Sequence, residues 1–130
     1  MNKLFILLFC VLAGCIQNRK TAEATNIEHI KFGSGGGVIG QMQEFTLHRD
    51  GAVVGSDRDT IKTVDREKTY ALFRRAESLT EYKFQQPKNL YSFLVIRTKN
   101  TENRITWGTS SDVKQEAAEL YQELKQLSNK

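Results

Sequence analysis

Residues 91–98 (YSFLVIRT) set the terms for everything else in the chain. They are β-branched and aromatic, and apolar on both faces through the middle of the run. A strand of that kind suits an interior position in a sheet, not a solvent-facing edge. The remaining segments must therefore supply neighbours on either side of it. Residues 26–32 (NIEHIKF) alternate in a β-like way. Residues 41–49 (QMQEFTLHR) alternate again and put Phe45 and Leu47 on one face. Asp50-Gly51 is a strong hairpin dipeptide, with Ala52-Val53-Val54 opening the returning strand. Residues 99–103 form a polar turn, after which residues 104–107 (RITW) pair back.

Two segments have helical spacing. In residues 65–79 the stripe is Leu72, Ala76 and Leu79, with Thr69 and Phe73 at its margins and Thr63 or Asp65 as the cap. The second opens at Ser110-Ser111. Val113, Ala117, Leu120, Leu124 and Leu127 then recur at alternating four- and three-residue steps, with Asp112 in the first turn and Lys125 near the end. The order is βββαββα. It predicts an α+β, two-layer domain, an antiparallel sheet of about five strands with two helices on it, over residues 26–130.

The first fourteen residues follow other rules. Lys3 supplies positive charge, residues 4–12 are apolar, and Ala13-Gly14 precede Cys15. This is the layout of a secretory signal peptide, too short for a span of roughly 20 apolar residues. With Cys15 at the cleavage point, Leu12-Ala13-Gly14-Cys15 resembles the lipobox of bacterial lipoproteins. The resemblance implies cleavage after Gly14 and lipid attachment at Cys15, so that the chain is held to a membrane of the cell envelope. Residues 16–25 have no periodicity and read as a tether with a reach of about 17 Å. Ile16 stands where an Asp is associated with inner-membrane retention in some bacteria, so an outer-membrane site facing the periplasm is expected.

That reading removes several chemistries. Cys10 leaves with the signal and Cys15 is lipidated, which takes away disulfides, a cysteine metal site and a thiol nucleophile. The formal charge of +4 comes from dispersed basic residues, and a lipid-anchored envelope protein meets no nucleic acid. Gly35-Gly36-Gly37-Val38-Ile39-Gly40 formally fits G-x-G-x-x-G, but a strand follows where a helix must hold the pyrophosphate. No nucleotide or other cofactor is expected. Ser34 lacks the glycine two residues before it that a nucleophile elbow requires. His29 and His48 sit in predicted strands and come close if those strands pair, yet no further ligand stands at metal spacing, so no metal is expected. Trp107 reads first as a core residue and second as an aromatic anchor at a binding surface.

Residues 33–40 (GSGGGVIG) carry five glycines in eight positions. Such a run cannot be the interior of a regular element and is expected to be a long hairpin loop. Its backbone either takes positive φ at several positions or lets another backbone approach closely. The candidate contact surface is Ser34, Gly35, Gly36, Gly37 and Val38 together with Trp107.

The run FGSGGGxxG, the Asp-Gly turn, Pro87-Lys88-Asn89 and Trp107-Gly108 before a last helix resemble a group of small bacterial lipoproteins. The resemblance implies a fold and a location. Gly36-Gly37-Val38-Ile39-Gly40 is also similar to the glycine-rich strand-loop of emfourin-type inhibitors of thermolysin-like proteases. The expected function is a non-enzymatic accessory or binding domain with a protein partner, anchored through Cys15. The alternatives are a protease inhibitor using the glycine loop and an enzyme of unknown type.

Overall fold

Strand formation follows the β-branched and aromatic runs of the chain, and the computed structural model describes residues 25–129. The signal segment, Cys15 and the tether up to residue 24 lie outside the described residues. The elements are β1 (Ile27–Gly36), β2 (Gln43–His48), β3 (Ala52–Gly55), β4 (Thr60–Thr63), α1 (Arg66–Glu77), β5 (Gln85–Gln86), β6 (Leu90–Thr98), β7 (Glu102–Trp107) and α2 (Gln115–Leu127). Together they form an α+β fold on one sheet of order β4-β3-β2-β1-β6-β7-β5. Strand β5 runs parallel to β7, and the other pairings are antiparallel.

The sheet has seven strands, not about five. Strand β4 is TIKT and β5 is Gln-Gln with both residues exposed. Neither carries an apolar pattern, and backbone pairing to β3 and β7 is what makes them strands. Without them the observed order reduces to the expected one.

Strand β6 lies between β1 and β7, as its composition requires. Ile30 and Phe32 of β1 stand opposite Ile96 and Leu94 of β6, and all four are buried in the core with Leu47, Ile105 and both helices. Helix α1 is capped by Asp65, whose Oδ1 accepts from Lys68 N at 2.8 Å. Its Leu72, Phe73 and Ala76 are buried. Helix α2 buries Ala117, Leu120, Tyr121, Leu124 and Leu127, and Val113 just before it joins the core. It begins at Gln115, five residues later than Ser110, because 109–112 fold into a turn closed by Asp112 N donating to Thr109 O at 2.9 Å. Asp112 is therefore outside the first turn, where Glu116 stands instead.

Among the described residues no helix covers the outer face of the sheet, yet Phe93 and Val95 are buried there. Side chains supply the cover. The Arg104 guanidinium sits 4.3 Å over the Phe93 ring, with Tyr91 beside it at 6.4 Å between centroids. On the other side Phe93 faces Gly33 in register. A Cβ at Gly33 would stand 2.9 Å from Phe93 Cζ and collide with the Gln43 carbonyl. Tyr91 lies over Gly35 in the same way. Aromatic rings from the neighbouring strand thus cover the bare glycine backbone, restoring the packing that glycine lacks.

Residues 33–36 are consequently strand and not loop, which corrects the sequence-based expectation. Pairing with β2 and β6 supplies what the missing side chains do not. The connection from α1 to β5 is held by a residue that patterning assigns to a polar turn. Asn103 is buried on β7, and its Nδ2 donates to Leu79 O at 2.9 Å and Tyr82 O at 2.8 Å. Its Oδ1 accepts from Lys83 Nζ at 2.8 Å, so an irregular segment gains satisfied backbone partners.

Candidate functional site

The turn between β1 and β2 stands at one end of the sheet, beyond the last core residues. Gly36, Gly37 and Gly40 have φ of +95°, +84° and +63°, which bears out positive φ at several positions. A backbone also approaches closely, and it belongs to this same chain. A Cβ on Gly36 would collide with Asn89 O, while Gly37 N donates to that carbonyl at 2.9 Å. Gly40 N donates to Gly37 O at 3.1 Å and closes the turn.

This fixed backbone carries side chains that nothing covers among the described residues. Val38 is fully exposed, Ile39 is 81% exposed, Leu90 66% and Met42 53%. A Cβ built on Gly37 would stand 3.5 Å from Leu90 Cδ2, so the Leu90 side chain lies alongside the turn. The same end holds a shallow groove lined by Ser34, Gln41, Gln43, Leu90, Ser92 and Gly108. No Asp, Glu, Lys, Arg or His occurs in residues 32–43 or 89–96, although charged residues are 26% of the chain. The result is an apolar, uncharged tip at Val38 and Ile39, with Asp57, Asp59 and Lys62 lining the depression beside Met42 and Lys88 over Gly108.

Three of the segments that carried the family resemblance meet here, while the Asp50-Gly51 turn lies at the other end of β2. Asn89 docks the turn, and Gly108 lies under the Lys88 methylenes, 2.4–2.6 Å from where a Cβ would stand. Lys88 Nζ then reaches Thr109 Oγ1 at 2.8 Å and Asp112 at 3.3 Å.

Of the predicted contact residues, Ser34, Gly35 and Gly36 lie in β1, paired with β2 or β6, and Gly37 and Val38 lie in the turn. Trp107 does not join them. It is 1% exposed and packs edge-on against Tyr121 at 5.3 Å between centroids. The anchor reading of Trp107 is corrected: its inward position on β7 makes it core. Ile39, Met42 and Leu90 are the surface residues that pattern reading passed over, and the charge-free run was the available signal.

His29 and His48 are directly paired across β1 and β2, with ring centroids 6.0 Å apart. Burial, then the nearby Lys31 and His48, holds the His29 imidazole below its ordinary value, against a smaller opposite pull from Glu28 and Glu102. Ser34 is five residues farther along β1, roughly 17 Å at ~3.3 Å per residue, and on the opposite face. It is out of reach as a nucleophile paired with His29. Among the described residues, His, Cys, Asp and Glu nowhere gather in groups of three or more that could hold a metal. Nor is any helix there long and apolar enough to cross a membrane. No protein-family model and no curated protein sequence matches the chain.

Proposed function

We propose that the chain is a non-enzymatic binding domain of a bacterial envelope, lipid-anchored at Cys15 and preferring the outer membrane, whose contact element is the β1–β2 turn. The observation that carries this reading is the pair Val38 and Ile39, left in water on a backbone held by Asn89. Single exposed aliphatic residues need no explanation, but several at one end of a domain with a polar rim mark a contact surface.

The anchor is tested by Cys15→Ser, which should leave an unprocessed precursor. Processed wild type should stay with membranes, because one acyl chain binds only marginally but two or three hold firmly. Recovery of processed wild type in the soluble periplasmic fraction overturns the anchor.

A protease inhibitor is the second reading, favoured by the ordered and protruding form of the turn. Stoichiometric inhibition of a thermolysin-like protease, lost in Ile39→Asp, would support it. Full protease activity at saturating inhibitor would dismiss it.

A further inference from the structure

Resting on the binding-domain reading, we infer that the β1–β2 tip is a wedge that seats in a concave cleft with an apolar, uncharged floor on a separate protein, on the side of the domain remote from its N-terminal attachment. Shape gives the first argument. The tip is convex and its backbone is fixed by Gly37 N to Asn89 O and Gly40 N to Gly37 O, so complementarity requires a hollow. A second copy of the chain offers another convex tip at this element. Four apolar side chains, Val38 fully exposed and the others partly so, meeting their own image fall short of the ~800 Å² per partner of a standard interface. A wedge sunk in a cleft also buries its flanks and the adjoining groove.

Charge gives the second argument. With no ionisable carboxylate, amine, guanidine or imidazole in residues 32–43, the tip has nothing to pair with a charge buried beneath it, and an unpaired buried charge is strongly disfavoured. The floor of the receiving cleft, beneath Val38 and Ile39, must itself be neutral, whereas Asp57, Asp59 and Lys62 beside Met42 stand at its rim. The same neutrality argues against a lipid surface, since no Lys or Arg in the tip holds anionic head groups. Lys88, the nearest in sequence on the β6 side, is turned to Asp112 and Thr109.

Position gives the third. The chain enters the domain at Ile27, and the tip follows Gly36 at the other end of the same strand, about 30 Å away at ~3.3 Å per residue. An anchor before Ile27 therefore leaves the tip free to face outward.

The test uses the full-length protein in the cells that make it, with a photo-crosslinking benzoylphenylalanine at Ile39, at Met42, or at Thr46 on the outer face of β2. We expect a protein adduct of one defined mass from positions 39 and 42 and none from 46. With the probe kept at Met42, Ile39→Leu should hold the yield within about twofold. Ile39→Asp and Ile39→Lys should each lower it about tenfold or more, the equivalent of ~1.4 kcal/mol. An unchanged melting temperature of each purified variant separates loss of docking from loss of fold.

A phospholipid adduct at 39 overturns the inference in favour of a membrane, and an adduct with a second copy overturns it in favour of self-association. Tolerance of one charge but not the other shows a charged cleft and overturns neutrality. An adduct from 46 alone overturns the wedge and the turn as contact element, and leaves standing only a binding domain that uses the outer face of the sheet. No adduct from any position sinks both.

Discussion

Gly36 and Gly40 share a positive φ but differ in what surrounds them, and that difference can be measured. Gly40 has nothing within 4 Å of a built Cβ, whereas at Gly36 the Asn89 carbonyl occupies the place. Gly40→Ala should cost about 1–2 kcal/mol, the left-handed penalty for an L-residue. Gly36→Ala should cost clearly more, because the Asn89 carbonyl must also move. Equal losses in urea midpoint would show that the Asn89 contact does not demand glycine. His29 gives a second residue-scale prediction. Its folded-state pKa is lowered by burial and by Lys31 and His48, so the unfolded chain takes up the proton first as pH falls. The stability at stake is fully present above the unfolded value of ~6.5 and is lost as pH drops toward the lower folded value, then levels off. Urea midpoints in neutral and mildly acidic buffer should show this decline, and His29→Gln should flatten it. A wild-type midpoint that rises on acidification would mean the sign is wrong.

At the scale of elements, α2 was the most legible part of the chain. Ala117, Leu120, Leu124 and Leu127 share one helical phase and are buried, and Val113, buried as well, precedes the helix. Leu120→Ala or Leu124→Ala should cost about 2–5 kcal/mol, while exposed Gln122 and Lys125 should tolerate alanine within about 0.5 kcal/mol. Similar losses in the two pairs, read by denaturant titration, would contradict the packing. The interior place of β6 was equally readable from its two-faced apolarity. The strand nature of residues 33–36 was not, because it depends on Phe93 and Tyr91 lying over the glycines from a strand far along the chain. Local propensity holds no trace of that contact. Trp107 shares a strand face with Ile105 by alternation, which already favours the core, and the packing of α2 through Tyr121 covers it there. The Leu79 and Tyr82 carbonyls that Asn103 serves are likewise distant in sequence. Of the expected contact residues, Val38 is fully exposed in the turn. Ile39 and Met42 lay in the same charge-free run, and Leu90 was invisible until the Asn89 carbonyl docked the turn.

The whole molecule is closed by residues near both ends of the described chain, Ile27 at 1% exposure and Leu127 at 5%. A protein beginning at Thr25 should melt within about 5 °C of the processed form, a shift worth roughly 1 kcal/mol. One beginning at Ile30 loses Ile27 and its pairing with Thr98, and should be less stable by about 2–5 kcal/mol. Equal melting of the two would place Ile27 outside the cooperative unit. The placement of the tip and the N-terminal attachment at opposite ends of β1 has a mechanical consequence. Tension applied between them runs along a backbone already extended to ~3.3 Å per residue, close to its contour length. That strand has little slack to give, and its ladders with β2 and β6 meet the load in shear, many bonds together. Pulled along this axis the domain behaves as a stiff strut. Pulled across it, the same ladders would open one bond at a time.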